Sequence, residues 1–447
     1  MKQGLSTKET FVVGLMLFAL FFGGGNMIFP PSLGQAAGTN VWIAIAGFLI
    51  TGVGLPLLGV IAIGLTGSDV QTLGSRIHPI FGIVFTIVLY LAIGPLFGIP
   101  RTGTVAYEIG VTPFLPEGMA KNGMSLFIYT LLFFGVTYWL SLNPSKLVDR
   151  IGKLLTPALL AILALLAIKT FATPMGAAKA PQPAYQDSPF FKGFLEGYLT
   201  MDTLAALVFG IVVINAVRDK GITNSKSITK VCIQSGLIAA AGLALVYLSL
   251  AYMGATSVDA VGLQSNGGLI LSKSANVLFG SLGNIVLTLA ITFACLTTSV
   301  GLVSACGQYF SKILPKVSYS VIILILTIFS TVIANFGLTQ LIAFSVPLLT
   351  AIYPLAIVLI LLSLIDKIFN RAPEVYAVSL FLTGIISIAD GLKAAKIQLG
   401  SLYELFDAFV PLFSKGIGWV VPAIIGALIG YVIALIRRPN LKTKESH

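Results

Sequence analysis

The chain has little of what soluble catalytic domains use. Only 10% of its 447 residues are charged, three are cysteine and two are histidine, whereas about a quarter of an ordinary soluble domain is charged. Cys232, Cys295 and Cys306 fall singly in apolar runs, which suits small core residues and excludes a disulfide or thiolate-metal framework. With His78 and His447 as the only histidines, a zinc or iron centre has too few ligands. No phosphate-loop, nucleophile-elbow or zinc-protease motif occurs, and low-complexity tracts and soluble domains are absent. The net charge of +11 accompanies no nucleic-acid motif, so no nucleic-acid partner is expected.

What the chain has is apolar surface. Fifty-seven per cent of its residues are hydrophobic and its mean hydropathy is +0.98, values of an all-α polytopic protein whose solvent is membrane lipid. Apolar stretches of about 20 residues, each able to cross a core about 30 Å thick, predict twelve spans. They lie near 10–34, 41–65, 80–110, 124–142, 151–172, 195–217, 228–254, 276–308, 318–335, 338–363, 374–392 and 417–436. The first run continues through Asn26 and Pro30 without a small-residue cleavage site, so it is expected to remain as a span. Alternate loops divide the Lys and Arg residues eighteen to eight, with Arg101 inside a span. By the positive-inside rule both termini are then expected in the cytoplasm. The longest polar stretch, with Pro174, Pro181, Pro183 and Pro189, reads as an external linker between two halves of five spans. The expected organisation is 1–172, linker 173–194, 195–363, and a last pair of spans with a tail over 364–447.

The first span is interrupted near its middle by Gly23-Gly24-Gly25-Asn26. A helix in hydrocarbon must satisfy its backbone N–H and C=O groups internally, so such a break is tolerated only where it lines a cavity. Its freed carbonyls can hold a cation, and the half-helix starting near Asn26 points N–H groups and a positive dipole end at an anionic group. The sixth span is the matching candidate, with Thr200, Asp202 and Thr203 in apolar surroundings. A carboxylate at that depth is costly and marks function, unless Asp202 sits at the membrane surface. The eighth span carries Thr297-Thr298-Ser299 at its centre; neutral oxygens there suit an alkali cation, or else bond back to their own helix. In the third span Arg101 and Glu108 stand two turns apart. Two readings apply: Arg101 pairs with Glu108 or Asp202 and shapes an external vestibule with Tyr107 near the substrate, or Pro100 ends the membrane portion and the stretch is an exposed helix end.

The segments FALFFGGGNMIFPPSLGQAAG (18–38), YLAIGPLFGIPRTGTVAYEIG (90–110) and GYLTMDTLAALVFGIVVINAV (197–217), together with the Thr-Thr-Ser cluster, closely resemble the branched-chain amino acid:cation symporter family, bacterial carriers for leucine, isoleucine and valine. The resemblance covers essentially the whole chain. It implies the leucine-transporter-like inverted repeat of five plus five helices with two peripheral C-terminal helices, in the bacterial cytoplasmic membrane. It also implies a sodium site formed by the carbonyls of Ala19, Phe22 and Ala294 with the hydroxyls of Thr297 and Thr298. Gly23, Gly24 and Gly25 would hold the substrate carboxylate. Carbonyls near Phe21 and the unwound stretch from Thr200 to Leu204 would face the ammonium, and Asn26 would belong to a second sodium site whose other ligands have no match.

A membrane-embedded enzyme would need convergent acid, base or nucleophile groups, and only Arg101, Glu108 and Asp202 are available without a shared catalytic motif. Pore-loop repeats expected of a channel are missing. A secondary active symporter is therefore the expected function. Sodium and proton coupling both stay open, because Asp202 or Glu108 could titrate.

Overall fold

A computed structural model describes residues 4–67, 69–120, 123–143, 156–397 and 400–442. The helices run in order as α1 Thr7–Phe21, α2 Gly24–Ala37, α3 Val41–Leu49, α4 Leu55–Thr66, α5 Val70–Gly74, α6 Pro79–Leu91 and α7 Gly98–Gly110. There follow α8 Glu117–Ala120, α9 Gly123–Ser141, α10 Thr156–Ala172, α11 Pro189–Glu196, α12 Asp202–Arg218, α13 Ser225–Thr256 and α14 Val258–Val261. The chain closes with α15 Gly267–Phe279, α16 Ser281–Ile313, α17 Tyr319–Ala334, α18 Leu338–Leu364, α19 Pro373–Ala394, α20 Ser401–Phe409 and α21 Val420–Lys442. The described residues contain no strand.

Eight helical stretches among the described residues are long and apolar enough to cross a membrane, and a ninth forms when Pro189–Thr200 and Asp202–Arg218, bent by 43°, are taken together. Thr156–Ala172 and Tyr319–Ala334 are shorter apolar helices. The expected twelve are not all counted by this measure, because those two helices are shorter and because Gly24–Thr66, which turns at Gly38 (φ 51°, ψ −121°), is taken as one stretch of 43 residues. The start of the expected fifth span, 151–155, lies outside the described residues.

The interrupted helices occupy the centre. Twelve of the fourteen residues of α2 and fourteen of the seventeen of α12 are buried, against five of the nineteen of α9. On α9 the outward side chains are Phe127, Ile128, Leu131, Leu132 and Trp139, an apolar face of the kind that lipid covers. Helices without apolar contrast between core and solvent must associate by close packing, which favours small residues at crossings. Two such crossings flank the centre. Where α2 meets α13, Gly34 lies against the Ala251 carbonyl and Gly254 against the Pro31 carbonyl; where α3 meets α11, Gly47 lies against the Phe190 carbonyl and Gly193 against the Ala44 carbonyl.

The breaks fall within the expected stretches and are shorter than them. Only Phe22 and Gly23 separate α1 from α2, and Gly24, Gly25 and Asn26 already form the first turn of α2. The sixth span breaks at Met201, whose φ of 65° lies in the left-handed region. The third span is interrupted as well: Ala92–Leu96 forms a wide turn with Gly94 outside helical angles. Pro100 therefore sits in the first turn of α7, where its missing N–H costs nothing, and it ends no span.

Replacing Gly254 with leucine should lower the melting temperature of the purified protein by several degrees, since overpacking costs about 1–3 kcal/mol. Gly135, around which a new Cβ meets nothing within 4 Å, is the control. Equal melting of Gly254→Leu and Gly135→Leu would show that the crossing sets no limit on side-chain size.

Candidate functional site

The gap between α1 and α2 is held open by a side chain rather than by glycine alone. Asn26 is the third residue of α2, and its Oδ1 accepts the Gly23 N–H at 3.1 Å. The same amide donates through Nδ2 to Asp202 Oδ2 at 2.6 Å and to the Tyr247 hydroxyl. Tyr247 in turn donates to Asp202 Oδ2 at 2.8 Å. Asn26 thus links the broken first span to the broken sixth. Asp202 is 2% exposed, which rules out the surface position considered from sequence.

Arg101, 6% exposed, is likewise buried rather than at an exposed helix end, and the expected pairing with Glu108 or Asp202 is not formed. Its guanidinium donates from Nη1 to the Leu199 carbonyl at 2.7 Å and from Nη2 to the Thr200 carbonyl at 3.2 Å, and it lies 5.6 Å from the centre of the Phe29 ring. These carbonyls close the short 3-10 turn Gly197–Thr200, where a cation is favoured because the terminal carbonyls lack helical partners. Glu108 Oε1 instead accepts the Leu338 N–H at 3.3 Å.

On the other side of α1 a cluster of neutral oxygens gathers. Thr297 donates to the carbonyls of Ala19 and Ala294, both at 3.0 Å, and Thr298 donates to Leu20 at 3.0 Å and Ala19 at 3.3 Å. All three of Ala19, Ala294 and Thr297 are fully buried. Oxygens about 2.4 Å from a hard cation stand roughly 3.4 Å apart at neighbouring corners of an octahedron, so small outward shifts of these groups would suit one monovalent ion. The Leu20 carbonyl joins this cluster through Thr298 as an addition to the expected set, and the Phe22 ring stacks on Phe18 at 5.3 Å and tilts against Tyr247.

Between these features lies a narrow cavity of about 30 Å³, room for about two water molecules, so a leucine-sized ligand enters only when its walls move apart. Its polar wall includes Gly23, Gly24, Gly25, Asn26, Arg101, Thr102, Thr200, Asp202 and Thr298, and its apolar wall includes Phe21, Ile93, Ala205, Phe209 and Leu302. Phe21 and Phe209 meet edge to face at 5.5 Å. Tyr107, Thr203 and Leu204 are not on this wall. Tyr107 tilts against Tyr129 at 5.6 Å. Thr203 braces the break: its N–H donates to the Tyr353 hydroxyl at 3.2 Å and its hydroxyl to the Thr51 carbonyl at 2.9 Å. Thr51 also donates to the Phe194 carbonyl at 2.8 Å, so one residue is bonded to both halves of the sixth span.

Tyr247, Tyr353, Thr51 and Met201 were not legible as site residues. A lone tyrosine in an apolar run looks like any amphipathic core residue, and nothing marks a methionine for left-handed geometry. The Gly94 break has a sequence signal in Gly94-Pro95.

The family model for the branched-chain amino acid transport protein matches residues 6–437. The branched-chain amino acid permease BraB of Bacillus subtilis is 60% identical over 445 residues, covering all of both chains. The branched-chain amino acid transport system 2 carrier protein of Pseudomonas aeruginosa is 48% identical, with 95% of each chain covered. Among solved structures, MhsT in complex with L-phenylalanine superposes with a TM-score of 0.58 at 16% identity, covering 98% of this chain and 99% of the other. Mhp1, a nucleobase-cation-symport-1 family transporter in a closed conformation, gives 0.61 at 13% identity, covering 95% and 91%. The latter two share the fold, that of transporters built on interrupted helices. From the match along nearly its whole length, the chain belongs to the branched-chain amino acid transport protein family.

Proposed function

We propose that this protein imports leucine, isoleucine and valine across the bacterial cytoplasmic membrane by alternating access, with sodium moving in symport and both termini in the cytoplasm. It is a transporter rather than an enzyme, in keeping with relatives named as permeases and carriers. The observation that carries the sodium reading is the convergence of Thr297 and Thr298 on the Ala19 and Leu20 carbonyls beside a cavity bordered by the first turn of α2. Thr298 belongs to both, so cation and substrate would bind on two sides of one side chain. The free N–H groups at the start of α2 favour a substrate carboxylate. Phe21, Ile93, Phe209 and Leu302 give an aliphatic side chain apolar surroundings. Residues 1–172 and 195–363 would be the halves that rock around the site, with 173–194 linking them and 364–447 peripheral.

A second reading, proton coupling, is favoured by Asp202, a buried carboxylate on the cavity wall bonded to Asn26 and Tyr247. Leucine uptake into proteoliposomes under separately imposed sodium and pH gradients tests both. Uptake driven by an inward sodium gradient at equal pH supports symport with sodium; uptake driven only by pH supports the alternative.

In Thr297→Ala and Thr298→Ala, each lacking one oxygen while keeping the helix, the sodium concentration for half-maximal uptake should rise roughly tenfold, as loss of one polar contact to an ion implies. Unchanged sodium dependence in both variants would count against this site.

Selectivity should follow the cavity wall. Isoleucine and valine should compete with leucine within about 1–3 kcal/mol of one another, and lysine, aspartate and glutamate should fail to compete because a desolvated unpaired charge costs several kcal/mol. Strong competition by lysine in a radiolabelled leucine assay would exclude a branched-chain pocket.

At Gly25 an added Cβ would stand 2.9 Å from Arg101 Nη2. Gly25→Ala should therefore give a folded protein with weakened leucine binding, read by equilibrium binding beside a melting curve. Unaltered affinity would show that the first turn of α2 is not in contact with the ligand.

A further inference from the structure

Arg101 and Asp202 line one cavity, are both buried and carry opposite charges, yet no ion pair joins them. Each is left with unused capacity on the cavity side. A guanidinium has five N–H donors; the hydrogen bonds of Arg101 go to two carbonyls, and Asp202 acts on it through space without a direct contact. Beside it stands a second positive source, the N-terminus of α2, so close that a Cβ at position 25 would push the guanidinium aside. Two positive ends directed at one spot repel each other until an anion lies between them. On the opposite wall Asp202 accepts from Asn26 and Tyr247 through Oδ2 and meets the Thr200 hydroxyl as well; an ionised carboxylate has about four lone-pair sites, so it can still accept from a further donor.

We propose that Arg101 and Asp202 form a charge clamp for an α-amino-acid zwitterion, Arg101 and the first turn of α2 sharing the carboxylate while Asp202 takes the ammonium. The proposal rests on the transport reading above and adds how the head group is read. The carboxylate and ammonium of an α-amino acid sit on one carbon, so a single ligand head fills the space between two side chains that do not reach each other. The aliphatic side chain then projects toward Phe21, Ile93 and Phe209. A ligand lacking either charge leaves one buried group unpaired, and sites built on such groups discriminate strongly. The carbonyls of Leu199 and Thr200 hold the guanidinium in position, which ties substrate capture to the short turn that precedes the Met201 break.

Binding of three ligands to the full-length protein reconstituted in nanodiscs with saturating sodium tests the clamp: leucine, leucinamide without the carboxylate, and 4-methylpentanoate without the ammonium. The wild type should prefer leucine over each by roughly ten- to a hundredfold, the range for a hydrogen bond to a charge. In Arg101→Gln the preference over leucinamide should collapse toward unity, with leucinamide affinity itself retained. Arg101→Lys, which keeps the charge but loses the planar fork, should retain part of the preference. In Asp202→Asn the preference over 4-methylpentanoate should fall instead. Wild-type affinity for leucinamide equal to that for leucine overturns the proposal without any variant. So does an Arg101→Gln protein that loses leucine and leucinamide equally, since Arg101 would then only brace the turn. Failure of the wild type to bind leucine, isoleucine or valine is a different result, which overturns the transport reading and the clamp with it.

Discussion

Every unusual residue at the centre of this protein answers one constraint: backbone polar groups freed inside an apolar bundle need partners. Interrupting α1 at Gly23 releases carbonyls on one side and N–H groups on the other. The Asn26 side chain accepts one of those N–H groups, and Thr297 and Thr298 donate to the carbonyls of Ala19 and Leu20. At the second break Arg101 and Tyr353 play the corresponding parts, one donating to the carbonyls of the turn that ends at Thr200 and the other accepting the Thr203 N–H. The polar residues of the cavity wall are largely the residues that make its backbone tolerable. Binding and folding draw on the same groups here, which explains why so few charged residues suffice.

The packing around the breaks follows from the same constraint. A broken helix cannot be left facing lipid, so α2 and α12 are enclosed while α9 presents its aromatic and branched side chains outward. Enclosure brings neighbours close, and the paired glycines at the α2–α13 and α3–α11 crossings let backbones approach where a Cβ would collide with a carbonyl. Position 25 uses glycine for a different end, admitting a guanidinium to the first turn of α2.

Much of the site was legible because hydrocarbon makes polar residues conspicuous. Three glycines and an asparagine inside an apolar run marked the first break, and Asp202 and the Thr297–Thr298 pair stood out for the same reason. Membrane character, helical class and the branched-chain transport family were readable from the chain and its quoted segments. The limits were geometric. Whether Gly24 and Gly25 unwind or start a helix depends on the hydrogen bond from Gly23 to Asn26, which sequence does not reveal. The expected partners of Arg101 were carboxylates because charge suggests charge, whereas the terminal carbonyls of a short turn serve a guanidinium as well. The Leu20 carbonyl beside Thr298 was not marked either, because which carbonyls turn inward near a break is set by its geometry and not by residue type.

Thr51 is bonded to both halves of the sixth span, by its hydroxyl to Phe194 and by its carbonyl to Thr203, and so acts mechanically as a fulcrum. The arm on one side runs from Phe194 back to Pro189, about five residues or roughly 8 Å at helical rise. A turn of about twenty degrees at such a fulcrum sweeps the tip of that arm through roughly 3 Å, the width of a water molecule, while the atoms at Thr51 barely move. The polar contacts that define the break can then persist while the passage above them opens or shuts.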